Sequence, residues 1–200
     1  MYKLTLTIII LSATASMSSA QGSGCPPIYS NTSQVYLKFA DQTEVLDDLH
    51  TIAIDQGDLC GFDIWLRNTR VDASIRAQIS FYATDFQDGL PNRRIAGPFD
   101  VTVPASHDGM IQVNTNSGQA QGHMWVGVKF PDNTILPGGF VGLAEREAEL
   151  GSSHDHVYLQ SSGNFHDLNG GNADFHIVVY SNAPNNHEDS TWGRVKSSYR

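Results

Sequence analysis

Two cysteines, few positive charges and no long apolar run set the first limits on this 200-residue chain. Cys25 and Cys60 cannot close a structural zinc site by themselves, because such sites take four ligands. Twelve Lys and Arg stand against 21 Asp and Glu, for a net charge of −9. That balance lacks the basic stripe of a nucleic-acid binder and the attraction to anionic lipid. No segment approaches the roughly 18 apolar residues of a membrane helix, so no membrane span is expected. Helical periodicity is nearly absent: only Glu145–Leu150 reads as helix, and it is short. There is no Gly-x-Ser-x-Gly elbow and no His-Glu-x-x-His pair, which removes two common hydrolase signatures.

The N-terminus carries an address. Lys3 is followed by the apolar run Leu4–Leu11 and by small residues ending in Ser18-Ser19-Ala20. Charge, apolar run and small-residue exit come in the order of a secretory signal peptide, so residues 1–20 are expected to be cleaved before Gln21. The mature protein is then secreted or periplasmic. A lipobox is missing, since Gly22 stands three before Cys25 where an aliphatic residue belongs. In an oxidising compartment an even cysteine count favours a Cys25–Cys60 disulfide.

About 180 residues remain, enough for one domain that buries roughly 70% of its unfolded surface. Residues 21–182 are assigned to that domain and 183–200 to a polar tail. Short apolar runs alternate with turn clusters. Strands are expected at Gln34–Ala40, Asp48–Ile54, Gly61–Arg67, Ala73–Tyr82, Phe99–Val103, Gly109–Val113, Met124–Phe130, Phe140–Ala144, Val157–Gln160 and Phe175–Tyr180. In Ala73–Tyr82, Ile75, Ala77, Ile79 and Phe81 alternate with Arg76, Gln78 and Ser80, the pattern of a half-buried antiparallel strand. About ten such strands imply an all-β antiparallel sandwich, jelly-roll-like in character.

Several residues could carry chemistry. His154 and His156 are two apart, a strand spacing able to chelate zinc or copper, with His166 and His176 as further ligands. Solvated loop histidines explain the same residues, and that reading is preferred. Asp85 and Asp88 offer oxygen ligands on a hairpin loop, which suits calcium. Asp88-Gly89 is equally a favoured turn dipeptide, so the loop is read first as a turn. No other cofactor is implied. Trp65, Tyr82 and Trp125 could stack on sugar rings, although Trp on a strand is more often core. Asp63 shares neither face nor character with Phe62 and Ile64, and reads as a rim charge or a glycosidase acid. Asp47-Asp48, Glu145, Glu147 and Glu149 are read as solvated charges.

The longer segments resemble a known group. Asp47–Asn68, Ile75–Pro104, His123–Asn133 and Asp155–Ser181 are similar in order and pattern to bacterial secreted β-sandwich domains of the kind often found beside C-terminal sorting anchors. The shared marks are a Gly-Phe-x-hydrophobic strand, a Phe-Tyr hairpin with Asp, Gly and Pro, a Trp-hydrophobic-Gly strand and a closing strand ending in Tyr. Asn92-Arg93 departs from the pattern, which has Gly after the Pro. No sorting anchor follows Tyr180, which favours a free exported protein. The resemblance implies a fold and a compartment but no reaction. The functional expectation is a non-catalytic binding or cell-surface protein whose partner is a glycan or an envelope protein. A carbohydrate-binding module, or a metal-dependent enzyme using the His154–His176 region, is the alternative.

Overall fold

A computed structural model describes residues 24–39, 43–53, 55–85, 89–134, 138–153, 157–161, 164–167 and 174–183, with the backbone alone at 36–39, 134, 157–161 and 164–167. The proposed signal peptide, the tail beyond Ala183, Asp88, His154 and His156 lie outside the described residues.

Thirteen strands form two antiparallel sheets among the described residues. The larger sheet contains β1 (Pro27–Asn31), β2 (Val35–Phe39), β4 (Gly57–Asn68), β7 (Asp108–Asn114), β8 (Gln119–Ala120), β10 (Gly139–Ala144) and β13 (Ile177–Ser181). The smaller contains β3 (Glu44–His50), β5 (Ile75–Thr84), β6 (Pro91–Val103), β9 (His123–Lys129), β11 (Val157–Ser161) and β12 (Asn164–Asp167). This is the β-sandwich that the alternating pattern implies.

β4 organises the larger sheet. One of its edges pairs with β7 and β8, and the other is shared end to end by β13 and β10. Phe62, Ile64 and Leu66 of β4 point inward and are fully buried. They meet Ile79 and Phe81 of β5, Val126 and Val128 of β9, Val141 of β10, and Ile177 and Val179 of β13. The Phe62 and Phe81 rings pack edge to face at 5.3 Å. Each such side chain contributes about 1.5–3 kcal/mol of burial. The core is thus an interleaving of period-two faces from both sheets.

Cys25 and Cys60 form a disulfide that ties the chain before β1 to β4. At the other end Ala183, the first residue assigned to the tail, is buried against Gly57.

Four sequence expectations are corrected. The Asp48–Ile54 strand begins and ends four residues earlier, as β3. Its register with β9 runs from Val45↔Val128 to His50↔His123, and Thr51 N–H then leaves for the Gly122 carbonyl. Asp47 and Asp48 are buried, not solvated. Glu145–Leu150 is not helical; Leu150 bridges to Ser30, and the exposed Glu149 carboxylate accepts from the Ser30 and Thr32 hydroxyls and from Thr32 N–H. Phe99–Val103 is only the end of β6. That 13-residue strand bends through register shifts opposite Ile79–Thr84, and Gly97 sits there at φ +85° where a side chain would strike the Ile79 carbonyl.

Candidate binding face

Since Phe62, Ile64 and Leu66 of β4 turn inward, Asp63, Trp65 and Arg67 share the opposite face, with Asp63 buried and Trp65 and Arg67 half-buried. Pairing brings further side chains to the same face. Gln112 lies opposite Asp63, Met110 opposite Trp65 and Asp108 opposite Arg67 on the β7 side. Val178 lies opposite Asp63 and Tyr180 opposite Gly61 on the β13 side, and Phe140 of β10 opposite Arg67. Trp65, Met110, Val178, Tyr180 and Phe140 are half-buried, while Gln112 and Asp108 are exposed. The result is an apolar strip with an aromatic centre and a polar border.

Trp65 is fixed from three directions. Its Nε1–H donates to Asp108 Oδ1 at 3.0 Å. The His176 ring lies against it, with centroids 5.1 Å apart. Across β10, Gly142 leaves the space the indole needs, since a Cβ there would stand 2.7 Å from Trp65 Cδ1. A ring held this way loses little side-chain freedom on meeting a ligand.

The polar members are tied as well. The Tyr180 hydroxyl donates to Asp63 Oδ2 at 2.8 Å. Burial pushes the Asp63 carboxyl above its ordinary range, against the opposing effect of that hydrogen bond. Burial and the neighbouring Asp63 push the Tyr180 phenol upward. Burial lowers His176, which therefore favours the neutral ring beneath Trp65.

A second polar group lies where one end of the two sheets meets. Asp47 points inward from β3, and its Oδ2 accepts the Phe175 N–H at 2.7 Å. Asn31 Nδ2 donates to Asp174 Oδ2 at 3.2 Å and to the Arg146 carbonyl at 2.9 Å. The Ser153 hydroxyl reaches Asp48 Oδ1 at 3.2 Å. Burial raises Asp47 well above the usual carboxylate range, and the nearby Asp174 adds to this. Burial likewise raises the Tyr29 phenol beside Asp47 and Asp174. This group spans the two layers and is buried from solvent.

The residues singled out in the sequence scatter. Tyr82 and Trp125 are paired neighbours on the outer face of the smaller sheet, away from Trp65. Trp125 is only 4% exposed, and the Tyr82 hydroxyl is occupied by both Glu44 oxygens at 2.8 and 2.9 Å. They do not form one row with Trp65. His176 is buried beneath Trp65, whereas His166 sits on β12, in the other sheet. Asp85 closes the β5–β6 turn: its carbonyl accepts Gly89 N–H, its N–H donates to the Leu90 carbonyl, and its Oδ2 accepts from Asn92 at 3.1 Å. Among the described residues no three His, Cys, Asp or Glu side chains are grouped to hold a metal ion. Among the same residues no helix is long and apolar enough to cross a membrane.

Gln112, Met110, Tyr180 and Gly142 escaped the sequence reading as members of the Trp65 face. Their alternation was visible, but the pairing of β4 with β7, β10 and β13 was not.

Comparison with known proteins gives no family. No family model matches the chain, and no curated protein matches it. Two solved structures are similar. One holds the cysteine protease and lectin-like domains of Cwp84, a surface layer associated protein of Clostridium difficile; identity is 14%, TM-score 0.47, covering 71% of this chain and 32% of that one. The other is the clostridial cysteine protease Cwp84 after propeptide cleavage, at 13% identity and TM-score 0.49, covering 76% of this chain and 41% of that one. The chain spans less than half the length of either, and neither likeness bears on its function.

Proposed function

We propose that this chain is an exported, non-catalytic binding protein that takes a glycan on the outer face of its larger sheet. The observation that carries this reading is Trp65: a half-buried indole in an open sheet face, anchored by Asp108 and bordered by Met110, Val178 and Tyr180. Aromatic rings offer flat apolar area to the C–H faces of sugars, and exposed Gln112 and Asp108 offer partners for hydroxyls. The disulfide supports export, since such bridges persist in oxidising compartments.

The test is a glycan array and a sedimentation assay with insoluble polysaccharides, using mature untagged protein. Binding is expected, with quenching or a blue shift of tryptophan emission. Trp65→Ala should weaken it at least tenfold while the melting temperature stays within a few degrees. Glycan affinity unchanged by Trp65→Ala would move the ligand elsewhere; no binding to any glycan would end the reading.

A further inference from the structure

One margin of the larger sheet is β7, which pairs with β4 and with no other strand among the described residues. Asn68 N–H donates to the His107 carbonyl, and Thr115 N–H donates to the Cys60 carbonyl. The bonds of an antiparallel pair fall on every second residue, so Gly109, Ile111 and Val113 turn their N–H and C=O groups to β4. Met110, Gln112 and Asn114 turn theirs outward, where they meet no partner among the described residues. Natural sheet edges are blunted by bulges, proline, lysine, shortness or a covering segment. The other described edges follow that rule. β6 carries Pro91, Arg93, Arg94 and Pro98 and shifts register three times. β1 is covered at Ile28 and Ser30 by Ile52, Glu149 and Leu150. β2 carries Lys38, β12 has four residues and β8 has two. β7 has seven residues in unbroken register, without proline, lysine or arginine.

The strand is also open on its inner side. Ile111 and Val113 pack against the core yet stay half-buried, whereas Ile64 and Phe62, opposite them on β4, are fully buried. A further strand beside β7 would close that flank and answer the outward backbone groups. A second copy of β7 fits as that strand. In the antiparallel register centred on Ile111, Met110 of each copy faces Gln112 of the other, at positions where both hydrogen bonds are exchanged. Ile111 meets its twin across the twofold axis at the closer, non-hydrogen-bonded spacing, and Gly109 faces Val113. Asp108, the strand's single charge, falls opposite Asn114 and away from its own twin, so no like charges are directly opposed. Opposed residues share a face, so the two larger sheets run on as one with both Trp65 faces on the same side. We propose that two copies of this chain associate through β7, pairing antiparallel about Ile111 into one continuous sheet.

Sedimentation equilibrium of the untagged mature chain, with no ligand present, tests this independently of the glycan reading. A reversible dimer is expected below millimolar concentration. It should tighten as salt rises, because each copy carries a net negative charge. Gln112→Pro removes an outward N–H that β4 does not use, so the fold should stand while the dimer weakens by about tenfold or more. Ile111→Lys sets two like charges face to face at the axis and should weaken it as much. Amide hydrogen exchange gives a readout that needs no variant. As wild type is concentrated, the Met110 and Gln112 amides should slow by about tenfold, while Gly109, Ile111 and Val113, bonded to β4 throughout, should change much less. A monomer up to millimolar concentration overturns the inference. So does a dimer that Gln112→Pro and Ile111→Lys leave intact, or one whose Met110 and Gln112 amides exchange as fast as in the monomer.

Discussion

Asp47 and Phe175 join the two layers of the sandwich: a core-facing carboxylate on β3 accepts a backbone N–H beside β13 at 2.7 Å. Removing the acceptor leaves that N–H buried and unpaired, at a cost of about 1–3 kcal/mol. Asp47→Ala should therefore lower the urea midpoint clearly. Asp47→Asn keeps a carbonyl acceptor and should cost much less. The pH dependence has a definite sign. Burial and Asp174 raise the folded-state pKa of Asp47, so the native state holds a proton that the unfolded state releases near pH 4. The stability this gives is complete below about pH 4 and declines as pH rises toward the folded value. Relative to wild type, Asp47→Asn should gain stability between pH 4 and 7.5. A constant gap across that range would show that Asp47 does not titrate on unfolding.

The Cys25–Cys60 bridge closes a loop of 35 residues' separation. On the chain-entropy model a loop of that length stabilises the fold by about 4 kcal/mol. Cys25→Ser with Cys60→Ser should show a loss of that order in denaturant unfolding. Intact mass after alkylation should show two blocked thiols in native wild-type protein and two reactive ones after reduction.

Gly142 sets the position of Trp65. A methyl group there would meet the indole at about 2.7 Å from Cδ1, closer than side-chain carbons approach one another. Gly142→Ala should thus push the ring off the sheet face. The expected result is a shifted tryptophan emission and weaker glycan binding, with both changes absent in Trp65→Phe/Gly142→Ala relative to Trp65→Phe. A Gly142→Ala protein with wild-type emission would mean that β10 moves and the ring does not.

Period-two patterning made the fold legible. Ile75, Ala77, Ile79 and Phe81 announce β5, and Phe62, Ile64 and Leu66 announce the inward face of β4; all are buried. What misled was charge. Asp47-Asp48 looks like a solvated pair, yet Asp47 is an inward residue sustained by a long-range backbone bond. That displaced the reading of β3 by four residues. Glu149 stands in a segment of helix-favouring residues, but its carboxylate serves Ser30 and Thr32, more than a hundred positions away. The site was legible only in its centre. Trp65 and Asp63 declare their face within one strand, whereas Met110, Tyr180 and Gly142 join it through strand order, which local sequence does not encode. His50 and His123, separated by 73 positions, meet for the same reason.

Tyr82 and Glu44 give the last prediction. Glu44 lies over Gly127, between β3 and β5, and both its oxygens accept from the Tyr82 hydroxyl. Burial raises the Glu44 carboxyl, and the Tyr82 hydrogen bond partly opposes this by favouring the ionised form. Tyr82→Phe removes the donor while keeping the ring. The folded-state pKa of Glu44 should then climb further. A raised folded value means stability that is full below the unfolded pKa, near 4.3, and is lost as pH rises. The cost of Tyr82→Phe should therefore be small at pH 4, where Glu44 is protonated. By pH 7.5 it should be larger, growing as Glu44 ionises toward the roughly 1.5–3 kcal/mol of a bond to a charged group. Denaturant unfolding of wild type and variant at the two pH values decides it. Equal losses at both would show that the hydroxyl stabilises Glu44 no more when ionised than when neutral, and the charge-assisted bond would have to be abandoned.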